Sequence, residues 1–430
     1  MLATDFACAF GTYIESGAVV LGRDTRRAGE RLRSSVIAGI LATGVDLYDI
    51  GITPTPVLQY ALTQLNSKGG ISISGSSTGS EWKALRFFSA DGAPLNTYQS
   101  EELLDIFHNG SFSYAPWNQV GQLSYCQTAL QKYTEHLLAF LDVDTIRARQ
   151  FKIVLDCGNG TASQFVESLF NAFGCEVIAI NNQPSPDAIY TPLPNEKHTQ
   201  AIRQLIQPLG ADAGFFFNLD ASSIVIVSDR GQSLGEEYTF ALLTDYMLSQ
   251  HPGKPVVTNV STSSLIDMIA QKYGSPVSRC RIGQQYIIER MRSISAIIGG
   301  EGSGSAAFPD FLYGFDGIVS MGLILQMLAQ RQTTLNEVVQ TFPRYTIYKD
   351  VVRCPVFLFH TVLRRISEIF SGYRLDFTDG VKIFFDTGWL HIRPSRNDPL
   401  MRVIAESPEP EEADRLHQLG KTEVRKAIVA

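Results

Sequence analysis

Lys152-Ile153-Val154-Leu155-Asp156-Cys157-Gly158-Asn159-Gly160 reads as a short buried strand running into a glycine turn. A helical pattern from about Ala162 to Phe173 follows, and then a second strand, Glu176-Val177-Ile178-Ala179-Ile180. Strand, helix and strand in succession predict α/β layering. The same opening occurs upstream, where Ala18-Val19-Val20-Leu21 precedes a helix over Glu30 to Thr43 and a strand over Val45 to Ile50. It returns downstream, where Val256-Val257-Thr258 precedes a helix near Ser264 to Tyr273. These three openings predict related modules in tandem. Pro252-Gly253-Lys254-Pro255 cannot continue a helix and marks a boundary. After Pro343-Arg344-Tyr345 the pattern changes to strands at Val381 to Phe385 and Leu390 to Arg393, with a helix within Glu411 to Ile428. The expected organisation is therefore three α/β domains, 1–148, 149–251 and 252–343, and a C-terminal α+β domain, 344–430.

A chain of 430 residues suggests several domains at about 100 to 200 residues each. A hydrophobic fraction of 44% against 18% charged residues suits ordinary globular folding. The net charge of -7 gives no global attraction for nucleic acid or anionic lipid, although a local basic pocket is still allowed. The six cysteines lie far apart with no CxxC pair, and they read as reduced thiols rather than as a zinc site or disulfide framework. The N-terminus lacks the pattern of a signal peptide, and no apolar run approaches the roughly 18 residues of a membrane span. A cytoplasmic location is expected.

Glycine-rich and polar loops after buried strands are where an α/β scaffold holds ligands, because backbone N–H groups there can face an anion. Ser72-Ile73-Ser74-Gly75-Ser76-Ser77-Thr78-Gly79-Ser80 offers either a nucleophilic serine and phosphate cradle or a solvent loop. Asn218-Leu219-Asp220-Ala221-Ser222-Ser223 carries a single carboxylate, too few anionic oxygens for a hard divalent cation. Gly299-Gly300-Glu301-Gly302-Ser303-Gly304-Ser305 suits sugar hydroxyls or a tight structural turn. Arg393-Pro394-Ser395-Arg396-Asn397-Asp398-Pro399, with Arg402, concentrates forked guanidinium donors that match phosphate oxygens, with surface salt bridging as the alternative. Gly22-Arg23-Asp24-Thr25-Arg26 reads as a structural Arg-Asp arrangement.

In this order the segments resemble the α-D-phosphohexomutase family of phosphoglucomutases, phosphomannomutases and phosphoglucosamine mutases. The resemblance spans nearly the whole chain and implies mixed sheets in the three α/β domains and a central cleft surrounded by all four domains. Gly22 to Arg26 is similar to the family's GRDTR, Gly51-Ile52-Thr53-Pro54-Thr55-Pro56 to its G-x-x-PTP, Asp156 to Gly160 to its D-x-x-NG, and Pro192-Leu193-Pro194-Asn195 to its P-x-PN. It implies a phosphoserine that exchanges a phosphoryl group with a hexose phosphate, with a magnesium ion held by aspartates and a hexose 1,6-bisphosphate as activator. Carried over, Ser76 is the phosphoryl carrier. Arg86 stands where the family has a catalytic lysine, and arginine is too basic to exchange a proton readily. Of the family's three metal-loop aspartates one remains, so Asp220 is expected as a weak residual ligand and tight magnesium binding is expected to be lost.

Glu301 and Ser303 fall on the family's sugar loop, and Arg393, Ser395, Asn397 and Arg402 on its phosphate loop. Substrate binding is thus expected to be better kept than phosphoryl transfer. The chain begins at a stretch similar to the family's first helix, so the preceding strand and its active-site arginine loop are expected to be missing, and Phe10-Gly11-Thr12-Tyr13 is not that loop. Two functions are expected: a divergent mutase on a phosphorylated hexose, or a non-catalytic sugar-phosphate binding or regulatory protein.

Overall fold

The computed structural model describes residues 2–76, 79–187, 196–395 and 398–429, apart from the side chains of residues 76, 79–83, 196 and 197. Four sheets account for its strands. In each of the first three, one strand lies between two parallel neighbours. Ala18–Arg23 is flanked by Asp46–Ile52 and Gly69–Ser76, Lys152–Asp156 by Glu176–Ile180 and Ala213–Phe217, and Val256–Asn259 by Val277–Cys280 and Ile298–Glu301. An antiparallel strand then lies on the same side of each sheet, Gly79–Ser89, Ile224–Ser228 and Ser305–Phe308, and in the third sheet Leu312–Phe315 adds a further antiparallel strand beyond it. The three openings of the sequence are thus one mixed-sheet unit used three times. The fourth sheet is antiparallel throughout, in the order Thr346–Arg353, Leu400–Ser407, Gly388–Pro394, Val381–Phe385, Arg374–Asp376. Helix Pro410–Val429 packs on it, giving the expected α+β unit.

The strand Ala213–Phe217 shows how the apolar runs are used. Phe215 and Phe217 face the largest core, while Phe216, on the other side of the pleat, joins Ile202 and Ile206 of helix Gln200–Leu209. Alternation places successive side chains on opposite faces, so a strand covered on both sides reads as a continuous apolar run. Burial of each such ring contributes roughly 1.5–3 kcal/mol. The main core continues from the second sheet into the third and takes in Val57 and Ala61 of helix Thr55–Gln64 in the first. The fourth sheet has a core of its own around Val362, Ile383, Leu390 and Leu416.

Two expectations change in detail. The helix expected from Ala162 begins with a 3-10 turn, Thr161–Gln164, before the α-helix Val166–Phe173. The polar segment Ser72 to Ser76 belongs to a strand rather than a loop. Its small residues suit the interior: Ser72 and Ser74 are buried, and a Cβ at Gly70 would press on Leu62. Phe10 to Tyr13 lies in helix Leu2–Ile14, so it is no loop. Among the described residues no helix is long and apolar enough to cross a membrane.

Candidate active site

The decisive strand-and-turn also holds the first part of the site. Gly158 and Asn159 both adopt the left-handed conformation, with φ of 56° and 54°. Gly160 then passes so close to Leu219 that a Cβ would stand 2.7 Å from the Leu219 carbonyl oxygen. Thr161 donates to that oxygen from both its backbone N–H and its hydroxyl, each at 2.9 Å. The turn thereby pins the loop Asn218 to Ser223 at the mouth of a central cleft of 720 Å³ whose wall draws on all four sheets or the loops leaving them.

Within that loop Asp220 is buried and densely bonded. Its Oδ2 accepts from Arg86 Nη1 at 2.7 Å and from Thr55 Oγ1 at 3.0 Å. Its Oδ1 accepts from Ser222 Oγ at 2.6 Å, Asn218 Nδ2 at 2.8 Å and the Ser222 N–H at 3.2 Å. Burial alone raises the carboxyl pKa, but the Arg86 charge and the hydrogen bonds from Ser222 and Thr55 outweigh it and hold the group below its ordinary value. The carboxylate expected to remain as a weak metal ligand is therefore the partner of Arg86.

Magnesium prefers an octahedral set of about six oxygens, commonly including carboxylates. Here one carboxylate is present with its oxygens occupied, and among the described residues no group of three or more His, Cys, Asp or Glu could hold a metal. Among the described residues the set does not fit that ion.

Arg86 lines the cleft and also reaches the Gly75 carbonyl at 3.5 Å, beside the backbone of Ser76. Ser76 ends its strand paired with Gly79, and its side chain lies outside the described residues, as does Asn397 altogether. Glu301, Ser303, Arg393, Ser395 and Arg402 all line the same cleft. Glu301 accepts from the Gly283 N–H at 3.2 Å, and Ser303 Oγ lies 3.2 Å from Ser305 Oγ. Burial pushes the Glu301 carboxyl up, beyond what Asn259, Gly283, Arg393 and Ser303 recover.

Arg393 and Arg402 stand directly opposite each other across neighbouring strands, and both reach the cleft. Like charges in that relation repel, and a bound anion relieves the repulsion while matching both forks. Ser395 is buried beside them and contacts Asp398 at 3.3 Å.

Two further groups escaped sequence reasoning. Lys349, on the first strand of the fourth sheet, donates to the Gly302 carbonyl at 2.8 Å and pairs with Glu237 at 2.9 Å. Burial works against its charge, but Glu237 and Glu236 prevail and hold its pKa above the ordinary value. Gly302 is where a side chain is excluded, because a Cβ there would overlap the Glu237 carboxylate. The second is Ser261, which lines the cleft and bonds to His391. Neither belongs to a glycine-rich motif, so no local signal in the sequence marked them.

Phosphoglucomutase/phosphomannomutase models match residues 1–114 as alpha/beta/alpha domain I, 131–231 as domain II and 235–345 as domain III. The chain is 32% identical over 426 residues to a phosphoglucomutase/phosphomannomutase of Thermococcus kodakarensis, covering 97% of this chain and 93% of that one. It is 30% identical over 431 residues to a probable phosphoglucosamine mutase of Pyrococcus horikoshii, covering 99% and 94%. A solved phosphoglucomutase/phosphomannomutase family protein of Burkholderia thailandensis superposes with a TM-score of 0.86 at 23% identity, covering 99% of this chain and 93% of that one. The repeated mixed-sheet unit, the antiparallel fourth sheet and these matches lead to one conclusion: the chain belongs to the α-D-phosphohexomutase family.

Proposed function

We propose that the protein moves a phosphoryl group between two positions of a phosphorylated hexose through Ser76, with the Arg86 guanidinium supplying positive charge beside the transfer site. The observation that carries this reading is the opposed pair Arg393 and Arg402, turned into the cleft that Arg86 and the sugar loop also line. Arg393, Arg402, Ser395 and Asn397 hold the phosphate that is not being transferred. Glu301 and Ser303 take sugar hydroxyls and orient the ring, which removes much of the entropic barrier to transfer. Arg86, fixed by Asp220, offers charge without reorganisation, the form of electrostatic help that phosphoryl transfer needs most.

The bond between phosphorus and Ser76 Oγ breaks as one forms to a sugar hydroxyl, giving a hexose bisphosphate. The other phosphoryl then returns to Ser76. Hexose 1,6-bisphosphate is accordingly the activator that keeps Ser76 charged. We place the protein in the cytoplasm, a reducing compartment that suits its six free thiols.

The full engagement of Asp220 favours a second reading, a sugar-phosphate binding or regulatory protein without turnover. Incubation with glucose 1,6-bisphosphate, in EDTA and in magnesium, followed by intact-mass analysis and a mutase assay, separates the two. Ser76 phosphate with turnover in EDTA is the expected result. Binding of hexose phosphates in a calorimeter with neither phosphoserine nor turnover would establish the second reading instead.

A further inference from the structure

Transfer to a sugar oxygen requires that its proton leave, and Arg86 is too basic to take it. Among the described residues no histidine lines the cleft, yet one reaches it through a single hydroxyl. Ser261 is half-buried on the cleft wall, and its Oγ lies 2.7 Å from His391 Nδ1. The other ring nitrogen, Nε2, meets the main-chain oxygen of Asp379. A carbonyl accepts only, so Nε2 carries the hydrogen and Nδ1 presents its lone pair to the Ser261 hydroxyl.

The ring is fully buried on the strand Gly388–Pro394, two residues before Arg393 and so on the same face of that strand. Burial, together with nearby Lys382 and Arg393, lowers its pKa to about 4, which keeps the imidazole neutral at ordinary pH. A hydroxyl held by a neutral imidazole, itself oriented by a third group, is the arrangement that activates serine in unrelated enzymes. Here its halves come from two domains, since Ser261 follows the strand Val256–Asn259 of the third sheet and His391 lies in the fourth.

We propose that Ser261 and His391 form the proton-handling pair of the cleft, with Ser261 touching the reacting sugar oxygen and His391 acting through it as a positioning base. The substrate is taken from the mutase reading above. As the sugar oxygen bonds to the phosphoryl leaving Ser76, its proton passes to Ser261 Oγ, and the proton of Ser261 passes to Nδ1. Ser76 Oγ takes up a proton from solvent as Nδ1 gives its own back to solvent through Ser261, so neither hydroxide nor imidazolium is left in the cleft. When the other phosphoryl returns to Ser76, each proton retraces its path, so the pair ends as it began.

The test has two arms, the first independent of mutase activity. The wild-type protein and Ser76→Ala are treated with a phosphonofluoridate, in which an activated serine oxygen bonds to phosphorus as fluoride leaves with the serine proton. Peptide mass mapping is expected to find the phosphonyl group on Ser261 in both, and not in His391→Gln of matched melting temperature. An unlabelled Ser261 in folded wild-type protein overturns the proposal.

In the second arm Ser261→Ala is expected to lower kcat roughly a hundredfold, with KM changed less than threefold. Ser261→Thr, which keeps the hydroxyl, is expected to recover most of the loss. Wild-type kcat in Ser261→Ala overturns the proposal even if labelling succeeds. A labelled Ser261 in a protein that never turns over hexose phosphate removes the mutase reading while supporting the activated hydroxyl.

Discussion

Arg86 and Asp220 lie 134 residues apart and meet at 2.7 Å, so the guanidinium is held in place by a carboxylate from another domain. Replacing Arg86 by alanine leaves that carboxylate buried with hydrogen bonds but no counter-charge. We expect a loss of roughly 1.5–3 kcal/mol in urea denaturation, the range for a hydrogen bond to a charged group, towards the lower end because Arg86 is partly exposed. The pH dependence follows from the depressed carboxyl of Asp220. Its stabilisation is present above the unfolded value, about 3.9, and is lost as pH falls through the lower folded value. Asp220→Asn should therefore flatten the acid limb of a stability-versus-pH curve below about pH 4. An unchanged acid limb would show that Asp220 does not govern it.

At the level of elements, two close approaches give separable outcomes. Gly160→Ala places a methyl group against the Leu219 backbone. Overpacking of this kind costs about 1–3 kcal/mol, and because it displaces the loop carrying Asp220, thermal melting and hexose-phosphate affinity should fall together. The pair Arg393 and Arg402 should behave in the opposite sense. Arg402→Gln relieves cross-strand repulsion and should raise ligand-free stability by roughly 0.2–1 kcal/mol. The same change should weaken glucose 6-phosphate binding about tenfold, or about 1.4 kcal/mol. Calorimetric titration beside a melt of the ligand-free protein checks both, and affinity equal to wild type would remove Arg402 from the site.

At the scale of the whole molecule, one core runs through the second and third sheets and takes in helix Thr55–Gln64 of the first unit, whose sheet has a core of its own around Phe10, Val19 and Ile71, and the fourth sheet is built around another. Polar contacts join the fourth unit to the third, among them Lys349 to Gly302, Ser261 to His391 and Lys382 to the Val260 carbonyl. Polar interfaces of this kind couple domains weakly. Differential scanning calorimetry of the ligand-free protein should therefore show two transitions. A hexose phosphate bridging Glu301 and Arg393 should draw them together and raise the lower one, because it binds only the assembled cleft. Two transitions that stay apart at saturating ligand would mean that the ligand does not span the domains.

The local pattern of residues determined the elements and their repetition. Lys152 to Gly160, Ala18 to Leu21 and Val256 to Thr258 each announce a strand that opens an α/β unit, because alternation, helical period and glycine turns act over neighbouring residues. The motifs also brought Arg86, Glu301, Ser303, Arg393, Ser395 and Arg402 to notice, and the fold places them around one cleft. Only the tertiary structure decided what those groups touch. That Asp220 meets a guanidinium, that Lys349 crosses to Glu237, and that a buried His391 stands behind Ser261 depend on segments more than a hundred residues apart. Such pairings are chosen by how whole domains pack, and the free energy of a contact between distant groups leaves no periodic trace in the chain on either side of it.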